Sequence, residues 1–265
     1  MITCEFIGFF ANNLFQRSAV LNLSKKHNVE HVFSKWPVRI KYNKNKDFPF
    51  YNSYHDIFLE KTNVNNELFK KTKWENYIYK NTEFKEIQYN KNTNLKIIGS
   101  FQSYKYFDEK LIKKHMVPKK DIKESIKNKY NFLKKENNVS LHIRRKDYIG
   151  KENFHTNLTN TEYYKDAIKL VKYDNLLIFS DDVEWCKKNI NYKNSIFIEN
   201  NADYIDFYLM SFCNTNIIAN STFSWWSAWI NNNQNKKVIA PKKWFGPFFK
   251  EKKTKDLLPK EWIVI

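Results

Sequence analysis

Val139-Ser140-Leu141-His142-Ile143-Arg144-Arg145-Lys146-Asp147 is an apolar strand that runs directly into two adjacent arginines. The chain beyond it repeats the theme. Apolar strands are expected at 139–143, 176–179, 196–198, 217–219 and 238–240, alternating with helical segments, and that alternation predicts a parallel α/β sheet. The first four strands hand polar residues to one edge: His142, Arg144, Arg145 and Asp147 after the first, Ser180-Asp181-Asp182 after the second, Glu199 after the third, and Asn220-Ser221-Thr222 after the fourth. Ligands of open α/β sheets bind in the crevice beyond the carboxyl ends of the strands, so a site is expected there.

Outward from this block the pattern weakens. Thr159 and Glu162 have the spacing of a capping box for a helix carrying Tyr163, Ile168, Leu170 and Val171. Upstream, Ile122, Ile126, Tyr130 and Leu133 keep a helical spacing to about residue 136, and a short strand is expected at 96–99. The chain opens on an apolar run at 3–10, read as a buried strand, with Asn12 or Asn13 as N-cap of a helix through Lys26 and a second strand at 29–33. Between 37 and 94 no period stands out among the Asn, Lys and Tyr residues.

Composition narrows the function. The 265 residues are enough for one large or two small domains, and 42% hydrophobic against 28% charged residues is the balance of a folded protein. Only four glycines occur, far apart, so GxGxxG and GxxxxGK[ST] phosphate loops are both absent. Three scattered cysteines argue against a disulfide framework or a structural zinc site. With no signal-like N-terminus and no long apolar run, a cytoplasmic protein is expected. The net charge of +18 would suit nucleic acid or an anionic membrane, but the lysines are dispersed in pairs and form no basic stripe interleaved with aromatics. The richness in Lys, Asn, Ile, Tyr and Phe is also what AT-rich codons produce.

Adjacent arginines at a strand end match a phosphate or carboxylate bidentately. With hydroxyls and helix N-termini arriving from neighbouring strands, they point to a phosphate-bearing ligand, and the plain alternative is structural pairing with Asp147, Asp181 and Asp182. No metal is expected, because Ser180-Asp181-Asp182 lacks the DxD spacing of metal-dependent sugar transferases. His27-Asn28-Val29-Glu30-His31 matches an HxxEH string, but it falls where a helix gives way to a strand. Without GxSxG or a cysteine triad, covalent catalysis has no support.

The stretch from His142 to Tyr148 resembles the HxRRxDY motif of the α-1,2-fucosyltransferases, glycosyltransferase family 11. Phe101 to Phe107 is similar to that family's FQSxKYF segment, Phe179 to Asp182 with Trp185 to its SDDxxW segment, Ser221 to Trp229 to its SSFSWWxAWL block, and Leu258 to Trp262 to its tail. The blocks occur in the family's order. The departure is at Gly8 to Gln16, where the family's GGLGNQMFQ has lost two glycines and the bulky Phe9 and Phe10 are expected to reshape the loop and its usual ligand contact. Trp225, Trp226 and Trp229 fit a packed helix face better than a sugar platform.

The resemblance implies a GT-B architecture: two Rossmann-like halves with parallel sheets, an acceptor-side domain at 1–137 and a GDP-sugar-binding domain with the donor site at 138–265. It implies GDP-β-L-fucose as donor substrate, no cofactor, and inverting transfer of L-fucose to a hydroxyl such as O2 of a terminal galactose. The acceptor would be an oligosaccharide or a glycolipid-linked glycan, with a peripheral membrane contact left open. It places Asn12, His142, Arg144, Arg145, Asp181, Asp182, Ser221, Thr222 and Ser224 at the donor, and Asp206 at the guanine by its spacing in the related α-1,6-fucosyltransferases. Asp147, Glu152 and His155 follow the motif closely enough to serve as general base; Glu152 has the offset of the α-1,6 enzymes' base, while Asp147 sits where it can orient the arginines. The rival readings are an inactive or lectin-like relative and a basic nucleic-acid-binding protein.

Overall fold

The computed structural model describes residues 1–38, 47–134 and 137–265. Contacts divide the chain into two compact units: Met1–Arg39 with Tyr51–Lys120 and Lys252–Pro259, and Ile40–Phe50 with Asp121–Glu251 and Lys260–Ile265. The boundary drawn from sequence at 137/138 falls inside the second unit.

The first unit holds β1 (Ile2–Cys4), α1 (Phe10–His27), α2 (Asn66–Lys71), β2 (Glu75–Tyr79), β3 (Leu95–Gly99) and α3 (Glu109–His115). Its three strands run parallel in the order β1-β3-β2. The opening apolar run is a strand only as far as Cys4, and α1 begins at Phe10 without a side-chain cap. Neither Asn12 nor Asn13 caps it, because their amides are committed elsewhere: Asn13 Nδ2 donates to the Ile7 carbonyl and to Gln16 Oε1, and Asn12 Oδ1 accepts from Gln102. The strand expected at 29–33 reduces to isolated bridges, since His31 pairs with Ile2 but Phe33 already pairs with Val64. α1 ends at His27, with Asn28 in the left-handed region, so the HxxEH string does not lie on one helix. Gly99 is required by close approach: a Cβ there would meet the Tyr79 carbonyl oxygen at 2.1 Å. The Phe101–Phe107 block packs within this unit, and Lys252–Pro259 joins it through Asp256, which pairs with Lys105 at 2.5 Å and accepts from the Phe84 amide.

The second unit holds α4 (Lys120–Lys129), β4 (Asn138–Ile143), α5 (Tyr163–Lys169), β5 (Asn175–Ser180), α6 (Val183–Asn189), β6 (Ser195–Ile198), α7 (Asp203–Ser211), β7 (Thr215–Ile217), α8 (Thr222–Ile230), β8 (Lys237–Ala240) and β9 (Ile263–Val264). All six strands are parallel, in the order β6-β5-β4-β7-β8-β9. β4 is buried throughout, as a central parallel strand must be, and its Val139, Leu141 and Ile143 form the core with Leu176, Ile178, Ile217 and Ile239. The expected helix after Ile122 ends sooner, at Lys129, and a 3-10 turn follows over Asn131–Lys134. The Thr159–Glu162 capping box does not form: Asn157 caps a 3-10 turn over Leu158–Asn160, and α5 starts after Glu162 with its amide at Tyr163 bonded to Thr161 Oγ1. Trp225, Trp226 and Trp229 are buried core: Trp225 stacks on Trp229, meets Trp226 edge-on and lies tilted against Trp262.

Candidate active site

The strand order places a topological switch point between β4 and β7: β5 and β6 extend the sheet one way from β4, β7 and β8 the other. Register then aligns the chemistry. Ile143 pairs with Ser180, so Arg144 emerges beside Asp181, and Leu141 pairs with Ile217, so the β7 terminus delivers Asn220 and Ser221 on the other side.

The two arginines are held by carboxylates. Arg144 presents Nε and Nη2 to the two oxygens of Asp147 at 2.8 and 2.6 Å, with Asp181 Oδ2 at 3.4 Å from Nε. The Arg145 amide donates to Asp181 Oδ1, its Nη1 donates to Asp182 Oδ2 at 2.5 Å, and its guanidinium lies over the Trp185 ring, 4.5 Å from the centroid. The SDDxxW spacing is thereby explained: Asp182 and Trp185, one helical turn apart at the start of α6, grip the same arginine by charge and by ring face. Two cations face three carboxylates, so the structural pairing weighed from sequence does exist. It leaves N–H groups unused, because each guanidinium has five; Arg145 Nε is buried without a partner. The pairing therefore fixes the direction of the forks without exhausting them. Burial works against the Arg144 charge, but the Asp147 hydrogen bond and the Asp181 and Asp147 charges outweigh it and raise its pKa. Asp147 is lowered: burial opposes its ionisation, and the bond and charge of Arg144 prevail.

His142 does not reach the open edge. It is buried, with Nδ1 2.8 Å from Ser224 Oγ, and burial aided by the Arg144 charge lowers its pKa to about 3, so the ring is neutral. The pair joins β4 to the first turn of α8, whose N-cap is Ser221, with Thr222 the first helical residue. Asp206, in the first turn of α7, accepts from Asn201 Nδ2 at 2.8 Å, and Phe207 packs on Phe223 of α8. Burial pushes Asp206 up to about 7, with the Asn201 bond opposing and the Asp203 charge adding.

The loop after β4 carries the base candidates. Asp147 is consumed by Arg144. The His155 ring stacks on Tyr148 at 4.4 Å and 10°, and the Tyr148 hydroxyl donates to the Asn220 carbonyl. Glu152 is exposed, with Oε1 3.1 Å from the Gly150 amide. Its backbone is clamped: the Gly246 amide donates to the Phe154 carbonyl, Phe248 to Asn153, and a Cβ on Gly246 would lie 2.3 Å from the Glu152 carbonyl oxygen. Asn220 Nδ2 ties both sides by donating to the carbonyls of Thr156 and Trp244.

The second unit thus brings together Arg144, Arg145, Asp147, Asp181 and Asp182, with His142, Ser221, Thr222 and Ser224 at the adjoining β4–α8 joint. Glu199 is diverted to Lys187, and Asn12 belongs to the first unit. Sequence reasoning overlooked Asn201, which no motif marks, and the Tyr148–His155 stack, whose tyrosine stands in the motif itself. Among the described residues no group of three or more His, Cys, Asp or Glu is arranged to hold a metal ion, and no helix is long and apolar enough to cross a membrane.

Two parallel Rossmann-like sheets, one with an arginine-lined switch point, define a glycosyltransferase of GT-B architecture. The solved fucosyltransferase NodZ from Bradyrhizobium superposes with a TM-score of 0.58 at 11% identity, over 86% of this chain and 91% of that one. POFUT1 in complex with GDP does so with a TM-score of 0.53 at 11% identity, over 90% and 96%. The chain belongs to glycosyl transferase family 11, which it matches over residues 3–265. Among Escherichia coli relatives, it is 35% identical to the O-antigen biosynthesis glycosyltransferase WbnK, over 73% of this chain and 70% of that protein. It is 37% identical to an α-1,2-colitosyltransferase, over 69% and 68%.

Proposed function

We propose that this glycosyltransferase moves L-fucose from GDP-β-L-fucose to a hydroxyl of a glycan, O2 of a terminal galactose or a similar sugar, inverting the anomeric centre without a metal. The observation that carries the reading is the pair of carboxylate-oriented arginines at the β4–β7 switch point beside the N-terminus of α8. Their outer N–H groups, with the first amides of α8 and the hydroxyls of Ser221 and Thr222, suit a diphosphate. Asp181 and Asp182 aim the arginines; His142 and Ser224 hold α8 in place. The 138–265 half takes the GDP-sugar and the 1–137 half the acceptor. The acceptor oxygen attacks the anomeric carbon as the bond to the diphosphate breaks; GDP leaves with the electron pair, and Glu152 takes the hydroxyl proton. A donor panel tests the assignment: nucleoside diphosphate release from GDP-fucose far above that from UDP-sugars supports it, and a preference for UDP-sugars refutes it. Transfer of colitose from its nucleotide-activated form is a second reading, favoured by the 37%-identical relative of that activity; competition between the two donors decides.

Because arginine supplies the positive charge, transfer is expected to persist in excess EDTA, with Mg²⁺ or Mn²⁺ changing the rate only modestly. Loss of activity on chelation, restored by one cation, would make Asp181 or Asp182 a ligand instead.

A guanine base is read by a carboxylate that accepts two N–H groups, which requires Asp206 ionised. Its pKa near 7 means the competent form is scarce at pH 6 and dominant at pH 8. GDP affinity should therefore rise about tenfold over that interval beyond any change intrinsic to GDP, and level off above it. Asp206→Asn serves as the reference, removing this component. Asp206→Ala should raise the KM for GDP-fucose more than it lowers kcat. Equal pH profiles for wild type and Asp206→Asn, with unchanged donor KM, would remove Asp206 from the base site.

A further inference from the structure

The first unit contains a cavity of about 370 Å³ lined by Glu5, Phe6, Ser34, Lys35, Trp36 and Phe69, with Lys96, Asn13 and Pro37 completing the wall. Its size is in the range of small-molecule clefts, roughly 300–1,000 Å³. Its construction follows from strand register. Thr3 pairs with Lys96, and residues two apart on a strand share a face, so Thr3, Glu5 and Lys96 stand on the sheet face opposite Ile2, Cys4, Leu95 and Ile97. Glu5 sits just past the carboxyl end of β1, its amide bonded to the Ile97 carbonyl at 3.1 Å.

The aromatic wall is rigid. Phe6 stacks on Trp36 at 4.8 Å and on Phe33 at 5.8 Å, and Trp36 Nε1 donates to Asn13 Oδ1 at 3.0 Å. Gln16 secures the adjoining loop, donating to the carbonyls of Ile7 and Gly99 and accepting from the Ile7 amide. In the stretch that departs from the family's glycine-rich pattern, Asn13 and Gln16 thus hold Phe6 and Trp36 as preformed walls. Phe69, on α2, is partly buried and leaves more of its ring open. Among the described residues, no ion pair joins Glu5, Lys35 or Lys96 to any partner.

A carboxylate, two ammonium groups and a serine hydroxyl around aromatic walls form a matched set for a sugar. Its hydroxyls both donate and accept, while its C–H faces lie against rings. A phosphate or another anion is a poorer fit, since it would set its negative charge against the Glu5 carboxylate. We propose that this cavity binds the acceptor glycan, with Glu5 accepting from its hydroxyls, Lys96 and Lys35 donating to them, and Phe69 carrying a ring face. This deepens the glycosyl-transfer reading and rests on it for the identity of the sugar as acceptor.

The test is direct binding of lactose and methyl β-galactoside to the full-length protein by calorimetry and saturation-transfer NMR, without donor, with GDP affinity measured in parallel. Glu5→Gln, Lys96→Ala and Phe69→Ala should each weaken the galactosides about tenfold or more, through a lost charged hydrogen bond or a lost ring contact, and leave GDP affinity unchanged; Glu5→Gln should also keep the melting temperature, whereas Phe69→Ala gives up its packing on Trp74 as well. Phe69→Trp should retain binding. Equal galactoside affinity in wild type and all three variants would overturn the proposal, as would a wild type that binds GDP but neither galactoside. Galactoside binding lost in these variants of a protein that binds no GDP would sustain the cavity and overturn the donor assignment instead.

Discussion

Glu152→Gln should lower kcat by about 10²–10⁴ while leaving GDP affinity intact, because it keeps size and polarity and removes only the basicity that a single-displacement reaction requires. The geometry singles out this side chain among the three that follow the motif. Asp147 has both oxygens bonded to Arg144 and its pKa lowered, so it would be a weak base and its removal would misdirect the arginine. His155 lies flat on Tyr148. Glu152 alone combines an exposed carboxylate with a clamped backbone, held against Gly246 where no side chain fits. A Glu152→Gln enzyme with near-normal kcat would move the role to Asp147 or His155, and His155→Ala would then separate those two.

Arg144→Ala should abolish detectable transfer, a loss of about 10²–10³ or more, since a preorganised charge aimed at the leaving diphosphate acts where the transition state gathers negative charge. Arg144→Lys should recover little. The fork spans both oxygens of Asp147 and still offers further N–H groups, whereas an ammonium cannot do both with a fixed plane. Asp147→Asn offers a check on direction as against charge: the arginine keeps its charge but loses its strongest orienting bond, so a smaller fall in kcat is expected than for Arg144→Ala. Full activity of Arg144→Lys would contradict the assignment.

The strand edge was legible in the sequence because central parallel strands read as continuous apolar runs, and the polar residues that end them stand out. His142 through Asp147 and Ser180 to Asp182 are of this kind, and the register between Ile143 and Ser180 brings them side by side. The pairing of the arginines with Asp147, Asp181 and Asp182 was legible too, as the plain alternative to a ligand; what the linear pattern left open was that both can hold at once, because which N–H groups the carboxylates take depends on rotamers and neighbours. His142 reads as a site residue in the motif and lies buried against Ser224, 82 positions away in sequence. The first unit was least legible. Its helix start at Phe10 has no capping residue, its second strand dissolves into bridges shared between two partners, and its cavity draws on Glu5, Trp36, Phe69 and Lys96, which no local period connects.

The central claim is the transfer itself. Incubating the purified protein with GDP-β-L-fucose and lactose, and solving the product's linkage and anomeric configuration by NMR, tests it most directly. The account predicts stoichiometric release of GDP and a single product with L-fucose α-linked to O2 of the galactose. GDP-fucose left intact, or a product in which the fucose retains the donor's β configuration, would contradict it.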